Sequence, residues 1–231
     1  LFFSQSLWAQ DYPSFERALF VNGNDTLPYR IQFPLNEKPG KKYPLVLFLH
    51  GAGERGRDNN FQLFWGASLF ADSKNRKRFP AIVVFPQCGV GNNWGRYERK
   101  DSTGKNPWSD LRFLSHQPPT ATLSLVMQLL DALVNSGRVD PRRIYVGGLS
   151  MGGMGTFEII WLKPGFFAAA LPICGGGDPE KMKAVDGCGP GDITVWSGDG
   201  EGICYFGELI ALGMKTRGCA GALLDGGIVG R

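Results

Sequence analysis

The chain has 231 residues, 43% of them hydrophobic, which is enough for one ordinary domain with a sizeable core, here read as residues 11–231. Its net charge of +4 carries no stripe of clustered Lys and Arg, which excludes the usual nucleic-acid-binding surface, and no run reaches the roughly 18 apolar residues of a membrane span. Five cysteines without C-x-x-C spacing, and no His/Asp/Glu cluster at ligand spacing, exclude the common metal sites, and no cofactor is called for.

Residues 1–10, an apolar segment with a small residue at Ala9, read as the remnant of a secretory signal peptide, so the protein is expected to be secreted or periplasmic. Residues 18–21 and 25–33 flank Asn22-Gly23 and predict an antiparallel edge hairpin. The continuous apolar run from Tyr43 to Leu49 has the character of a parallel strand buried on both faces. A helix is expected over 60–71, with the basic run Lys74-Asn75-Arg76-Lys77-Arg78 forming a solvated helix end. Residues 81–85 form the next core strand.

From Gly89 to Pro119 runs a connection too long for a plain loop, so it is either functional or disordered. Within it, Trp94, Tyr97 and Trp108 offer aromatic walls to a sugar or phenolic group; Trp94 and Trp108 are the candidate substrate-binding residues. The alternative is that these tryptophans tuck onto the core. Apolar residues at 125, 127, 129, 130, 133 and 134 predict an amphipathic helix over 121–135, ended by Gly137. A strand over 143–149, a helix over 151–162 stopped at Pro164, and a strand over 166–173 follow. Such alternation indicates an α/β fold: a mostly parallel central sheet with helices on both faces. Cys88 and Cys174 end apolar strands and are expected to be buried small hydrophobes.

The richest chemistry lies in Gly148-Leu149-Ser150-Met151-Gly152, between a predicted strand and a predicted helix. Gly-x-Ser-x-Gly in that setting is a nucleophile elbow: a sharp turn presents the Ser150 hydroxyl, and only glycine fits the crowded flanks. The following helix aims its N-terminal amides at the place where an oxyanion forms. His50-Gly51-Ala52-Gly53 ends an earlier strand, where such enzymes place a second backbone donor. The candidate oxyanion donors are therefore the amide of Met151 and that of Ala52 or Gly51. His50 begins this loop and reads as a positioning residue.

Three blocks together carry a family resemblance: Tyr43 to Gly56, then Phe85-Pro86-Gln87-Cys88 with Trp94, then Asp140-Pro141-Arg142-Arg143-Ile144-Tyr145 leading into the elbow. The chain resembles α/β-hydrolases of the secreted esterase and predicted-peptidase type, related to feruloyl esterases, acetyl xylan esterases and polyhydroxybutyrate depolymerases. The resemblance implies the α/β-hydrolase fold and a Ser-His-acid hydrolase acting on small-molecule or polysaccharide-linked esters. It places the triad acid after Val195-Trp196, on Glu201, with Asp199 as the alternative. It also implies a histidine after Ala222-Leu223-Leu224, where this chain reads Asp225-Gly226-Gly227-Ile228-Val229-Gly230-Arg231. The two histidines, His50 and His116, both precede Ser150, so the C-terminal end is expected to be incomplete and turnover weak. Two other readings stay open: a peptidase on the same scaffold, and a non-catalytic relative that binds carbohydrate.

Overall fold

The computed structural model describes residues 12–99, 111–114 and 116–178, together with four strands further along the chain. The N-terminal hairpin pairs β1 (Glu16–Asn22) with β2 (Asp25–Gln32), closing Asn22 onto Asp25 around Gly23, whose φ of 59° suits the tight turn. β3 (Tyr43–Leu49) and β4 (Ile82–Pro86) are parallel neighbours, and β2 runs antiparallel along the outer side of β4. The expected edge hairpin is thus present.

A small antiparallel pair, β5 (Tyr97–Arg99) and β6 (Leu111–Phe113), stands apart from the main sheet. β7 (Val139–Leu149) and β8 (Ala169–Ile173) extend the parallel arrangement on the other side of β3. β9 (Ile193–Ser197), β10 (Cys204–Gly207), β11 (Gly221–Asp225) and β12 (Gly227–Val229) complete the strands among the described residues. The main sheet has the order β1-β2-β4-β3-β7-β8-β9-β11, while β10 and β12 pair separately.

Alternation along the strands gives the sheet two apolar faces. Leu45, Leu47 and Leu49 of β3, with Ile82 and Val84 of β4, join one core. Phe48, Val83 and Phe85 point the other way into a second core with Phe15, Leu63 and Ala67. Helix α3 (Ala121–Asn135) packs Leu123, Val126, Leu129 and Leu130 into the first core. Its start is capped by the Thr120 hydroxyl, which accepts the Leu123 amide at 3.2 Å. Helix α4 (Met151–Leu162) lies on that same face and adds Met151 and Ile159.

Several boundaries differ from expectation, β7 among them, which begins at Val139 and not at residue 143. The region read as one helix over 60–71 is a single 3-10 turn at Phe61–Leu63 followed by α1 (Ala67–Ala71). Gly66, at φ 84°, separates them, and an added Cβ there would meet the Phe48 ring at 3.1 Å. Asp72 then starts α2 (Ser73–Arg78) by accepting the Lys74 and Asn75 amides, so the basic run is this helix's last turn. The strand expected from Phe166 begins only at Ala169, after a turn through Gly165 at φ 73°.

The direction of strand succession reverses between β3 and β7. β4 lies to one side of β3 and β7 to the other, so the connections leaving β3 and β7 diverge at their carboxyl ends. A crevice at such a switch point is the usual place for a site in open α/β sheets.

Candidate active site

Both loops singled out in the sequence emerge at that switch point. β7 ends at Leu149, and Ser150 follows with φ 55° and ψ −110°, a conformation that disfavours a side chain. Hydrogen bonds hold it there. The Ser150 amide donates to Ile173 O at the end of β8 (2.8 Å), and Ser150 O accepts the Met154 amide (3.0 Å) as α4 begins. Strand, strained serine and helix therefore follow one another as the elbow requires.

The glycines around the serine are sterically dictated. A Cβ on Gly148 would lie 2.4 Å from Gly152 O and 2.8 Å from Leu49 O. One on Gly152 would lie 1.9 Å from Leu49 O and 2.9 Å from His50 O. Helix α4 can begin this close to β3 only because these positions are bare. Gly153 and Gly155 are equally crowded, against Ile173 O at 2.6 Å and against the Trp94 side chain at 2.4 Å.

The same contacts bring the loop after β3 to the serine. Gly51 is extended (φ −74°, ψ 179°) and leads into a 3-10 turn at Ala52–Glu54, and the point where its Cβ would stand is 3.8 Å from Ser150 Cβ. Amides in a first helical turn have no partner within the helix, so Met151 and Ala52 each lie where such a donor is found. Gly51 differs: its amide is turned toward the Glu54 carboxyl and favours that group's ionised form.

His50 is only 1% exposed. Its Nε2 accepts the Cys88 amide at 2.9 Å, so Nδ1 carries the proton and donates to Gly51 O at 2.6 Å. Burial lowers its pKa to about 4, which keeps the ring neutral at ordinary pH. With both nitrogens engaged, His50 ties β3's exit to the end of β4, as a positioning residue would. Gln87 helps from the same strand end: its Nε2 donates to Glu54 O (3.3 Å) and its Oε1 accepts the Asn59 amide (2.7 Å). Burial also pushes the neighbouring Cys88 thiol up to about 11, consistent with the expected inert side chain. Cys174 differs from expectation, being half-buried with φ 49°.

Trp94 departs from its expected role as a substrate wall. Its ring is fully buried, its indole N–H donates to His50 O at 2.9 Å, and it meets the His50 ring edge-on at 5.1 Å. It buttresses the oxyanion loop, because the loop's free carbonyl needs a buried donor. Trp108 and Glu201 lie outside the described residues, as does Asp199. His116 is exposed. Among the described residues, no side chain hydrogen-bonds the Ser150 hydroxyl, and no group of three or more His, Cys, Asp or Glu could hold a metal.

Glu54 and Gln87 went unassigned in the sequence. The available signal was polarity where burial was expected: a glutamate inside the glycine loop and a glutamine at the end of an all-apolar strand. A cavity of about 470 Å³ opens along α4, lined by Met154, Phe157 and Trp161 on the helix and by Gly95 and Phe113 on the long connection.

The architecture and the serine elbow together define an α/β-hydrolase. A family model described as "Putative esterase" matches residues 23–180, and the chain belongs to that family. A second model, described as "Aldolase/RraA", matches residues 148–228 and overlaps the first at the elbow. Among curated relatives, the putative esterase NocK of Nocardia uniformis subsp. tsuyamanensis is 27% identical over 72% of this chain and 42% of its own length. Poly(3-hydroxyalkanoate) depolymerase C of Paucimonas lemoignei is 30% identical over 58% of this chain and 28% of its own. The chain thus spans less than half the length of either. A crystal structure of a thermostable esterase is 30% identical, with a TM-score of 0.68, covering 93% of this chain and 56% of that one.

Proposed function

We propose that this chain carries the nucleophile and oxyanion half of a carboxylic ester hydrolase, with Ser150 forming the acyl-enzyme. The strained φ of 55° at Ser150, set directly against the His50–Gly53 loop, is the observation that carries the reading. In the reaction Ser150 Oγ attacks the ester carbonyl, and the carbonyl oxygen becomes an alkoxide facing the amides of Met151 and Ala52. Collapse of that intermediate expels the alcohol, which takes up by way of solvent the proton that Oγ has shed, and leaves the acyl group on Oγ; water then releases the acid. Each preorganised donor of this kind is worth about 2.7–4 kcal/mol of barrier.

The substrate is an ester of a small molecule or one borne on a polysaccharide, as the family resemblance implies. The aromatic groove along α4, lined by Phe113, Phe157 and Trp161, supplies an apolar wall in place of the buried Trp94. The segment before Gln10 supports export, to the periplasm or the medium. Glu201 is the proposed acid. His50 has both ring nitrogens engaged and cannot take the serine proton, and among the described residues no other histidine hydrogen-bonds Ser150, so slow turnover is the expectation for this chain. Removing a triad member typically leaves about 10³–10⁴-fold catalysis over water.

Hydrolysis of an aryl acetate by the chain and by Ser150→Ala tests this directly. A slow rate that disappears in Ser150→Ala is the expected result. A rate identical in the two proteins would overturn the assignment. Aminoacyl anilides run beside the esters separate esterase from peptidase.

A further inference from the structure

Glu54 takes no part in that scheme, yet its carboxyl sits at the scheme's centre. The residue is 7% exposed, and Oε2 is buried without a hydrogen bond of ordinary geometry. Oε2 lies 2.8 Å from the point where a Gly51 Cβ would stand, and that same point is 3.8 Å from Ser150 Cβ. One glycine therefore separates a buried carboxyl oxygen from the candidate nucleophile. The carboxyl is also approached by the amides of Gly51 and Glu54 and by the Trp65 side chain.

We infer that Glu54 is the positioning residue of the oxyanion loop, its carboxyl packing beneath Gly51 and engaging that amide so that Ala52 N–H is the loop's donor to the oxyanion. The inference rests on the Ser150 reading above and adds a residue to it. It also explains the glycine, because any side chain at position 51 would displace the carboxyl. A charge at this position has a consequence. Ionised, Glu54 would set a negative group beside a developing alkoxide; neutral, it holds the loop without opposing the alkoxide, much as a protonated carboxyl serves in other oxyanion sites. Burial outweighs the favourable amides and raises its pKa, so the neutral form persists above the usual glutamate range.

The charges around it are few. On its own loop Arg55 is directed away, its Nε donating to Asn92 O at 2.6 Å, and Asp58 is held by the Asn60 and Phe61 amides. His50 is neutral, and neither Trp65, before α1, nor Ser150, at the β7–α4 turn, bears a charge.

Phenylboronic acid tests the inference without turnover. Ser150 Oγ donates a lone pair to boron, an O–B bond forms, the hydroxyl proton leaves to solvent, and boron takes the negative charge in the oxyanion site. Affinity is measured for the full chain, Glu54→Gln, Glu54→Ala and Ser150→Ala at about pH 6 and about pH 8, with melting curves alongside. Because each pair is compared at one pH, ionisation of the boronate cancels. Glu54→Gln, which keeps an acceptor for the amide, is expected within about threefold of the parent at the lower pH and, relative to it, no weaker at the higher. Glu54→Ala is expected to bind at least about tenfold more weakly at both. A folded Glu54→Ala that binds like the parent overturns the inference. So does a Glu54→Gln that loses affinity relative to the parent as pH rises, a comparison that stands even where the alanine variant fails to fold. Binding that survives in Ser150→Ala overturns the serine reading itself, and is distinguishable because it appears in that arm alone.

Discussion

Gly152 and Gly53 belong to the two turns that meet at Ser150, and a methyl group at each has opposite consequences. At Gly152 it would stand 1.9 Å from Leu49 O, a backbone atom of a buried central strand that cannot yield cheaply. At Gly53 nothing lies within 4 Å. Gly152→Ala is therefore expected to cost about 3 kcal/mol or more, because α4 must back away from β3. Gly53→Ala should lie within about 0.5 kcal/mol of the parent. Urea denaturation of both variants checks the pair. Equal stabilities would mean that α4 does not rest on β3 as described.

At the scale of elements, the long connection between β4 and α3 is pinned where the sequence suggested a loose or ligand-lined loop. Trp94 is fastened to His50, and Arg96 forms a salt bridge with Glu158 of α4, both partners nearly buried. The Arg96 guanidinium also stacks over the Trp161 ring at 5.5 Å. Arg96→Met would strand the Glu158 carboxylate inside the protein, a loss of about 3–5 kcal/mol. Arg96→Met combined with Glu158→Leu removes both charges and should recover most of that loss, which chemical denaturation of the two variants would reveal. The contrast explains what could be read in advance. Ser150, Gly148 and Gly152 are legible because an elbow is local: five adjacent residues, a strand before and a helix after. Strands β1 to β4, β7 and β8 and helix α3 are legible from their apolar character, whereas β5 and β6 lie in what reads as a loop. Trp94 is not, since an aromatic residue in a glycine-rich stretch looks the same whether it faces a ligand or a buried carbonyl 44 positions away. Glu54 is hidden for the same reason, because only the meeting of two loops buries it.

Across the whole molecule, two buried groups of opposite sign on one loop make opposing contributions to acid stability, beside the lowered carboxyls of Glu37, Asp58 and Asp140. His50 binds a proton near pH 6.5 when unfolded but only at about 4 when folded, so the unfolded chain takes up a proton between those values. Its contribution is full above about pH 6.5 and falls as pH drops toward about 4, by on the order of 3 kcal/mol. Glu54 acts in reverse. Its folded pKa is raised, so its contribution is full below the ordinary glutamate value and is lost as pH rises through the folded one. In the mildly acidic window the two slopes oppose, and the parent's melting temperature should vary less with pH than His50 alone would make it. Glu54→Gln removes one of them. The variant should melt higher than the parent near neutrality, converge with it as pH falls, and show the steeper His50 decline in between. Melting curves of the two proteins from about pH 4 to about pH 8 decide it: a constant offset between them would show that the carboxyl does not change its charge in place.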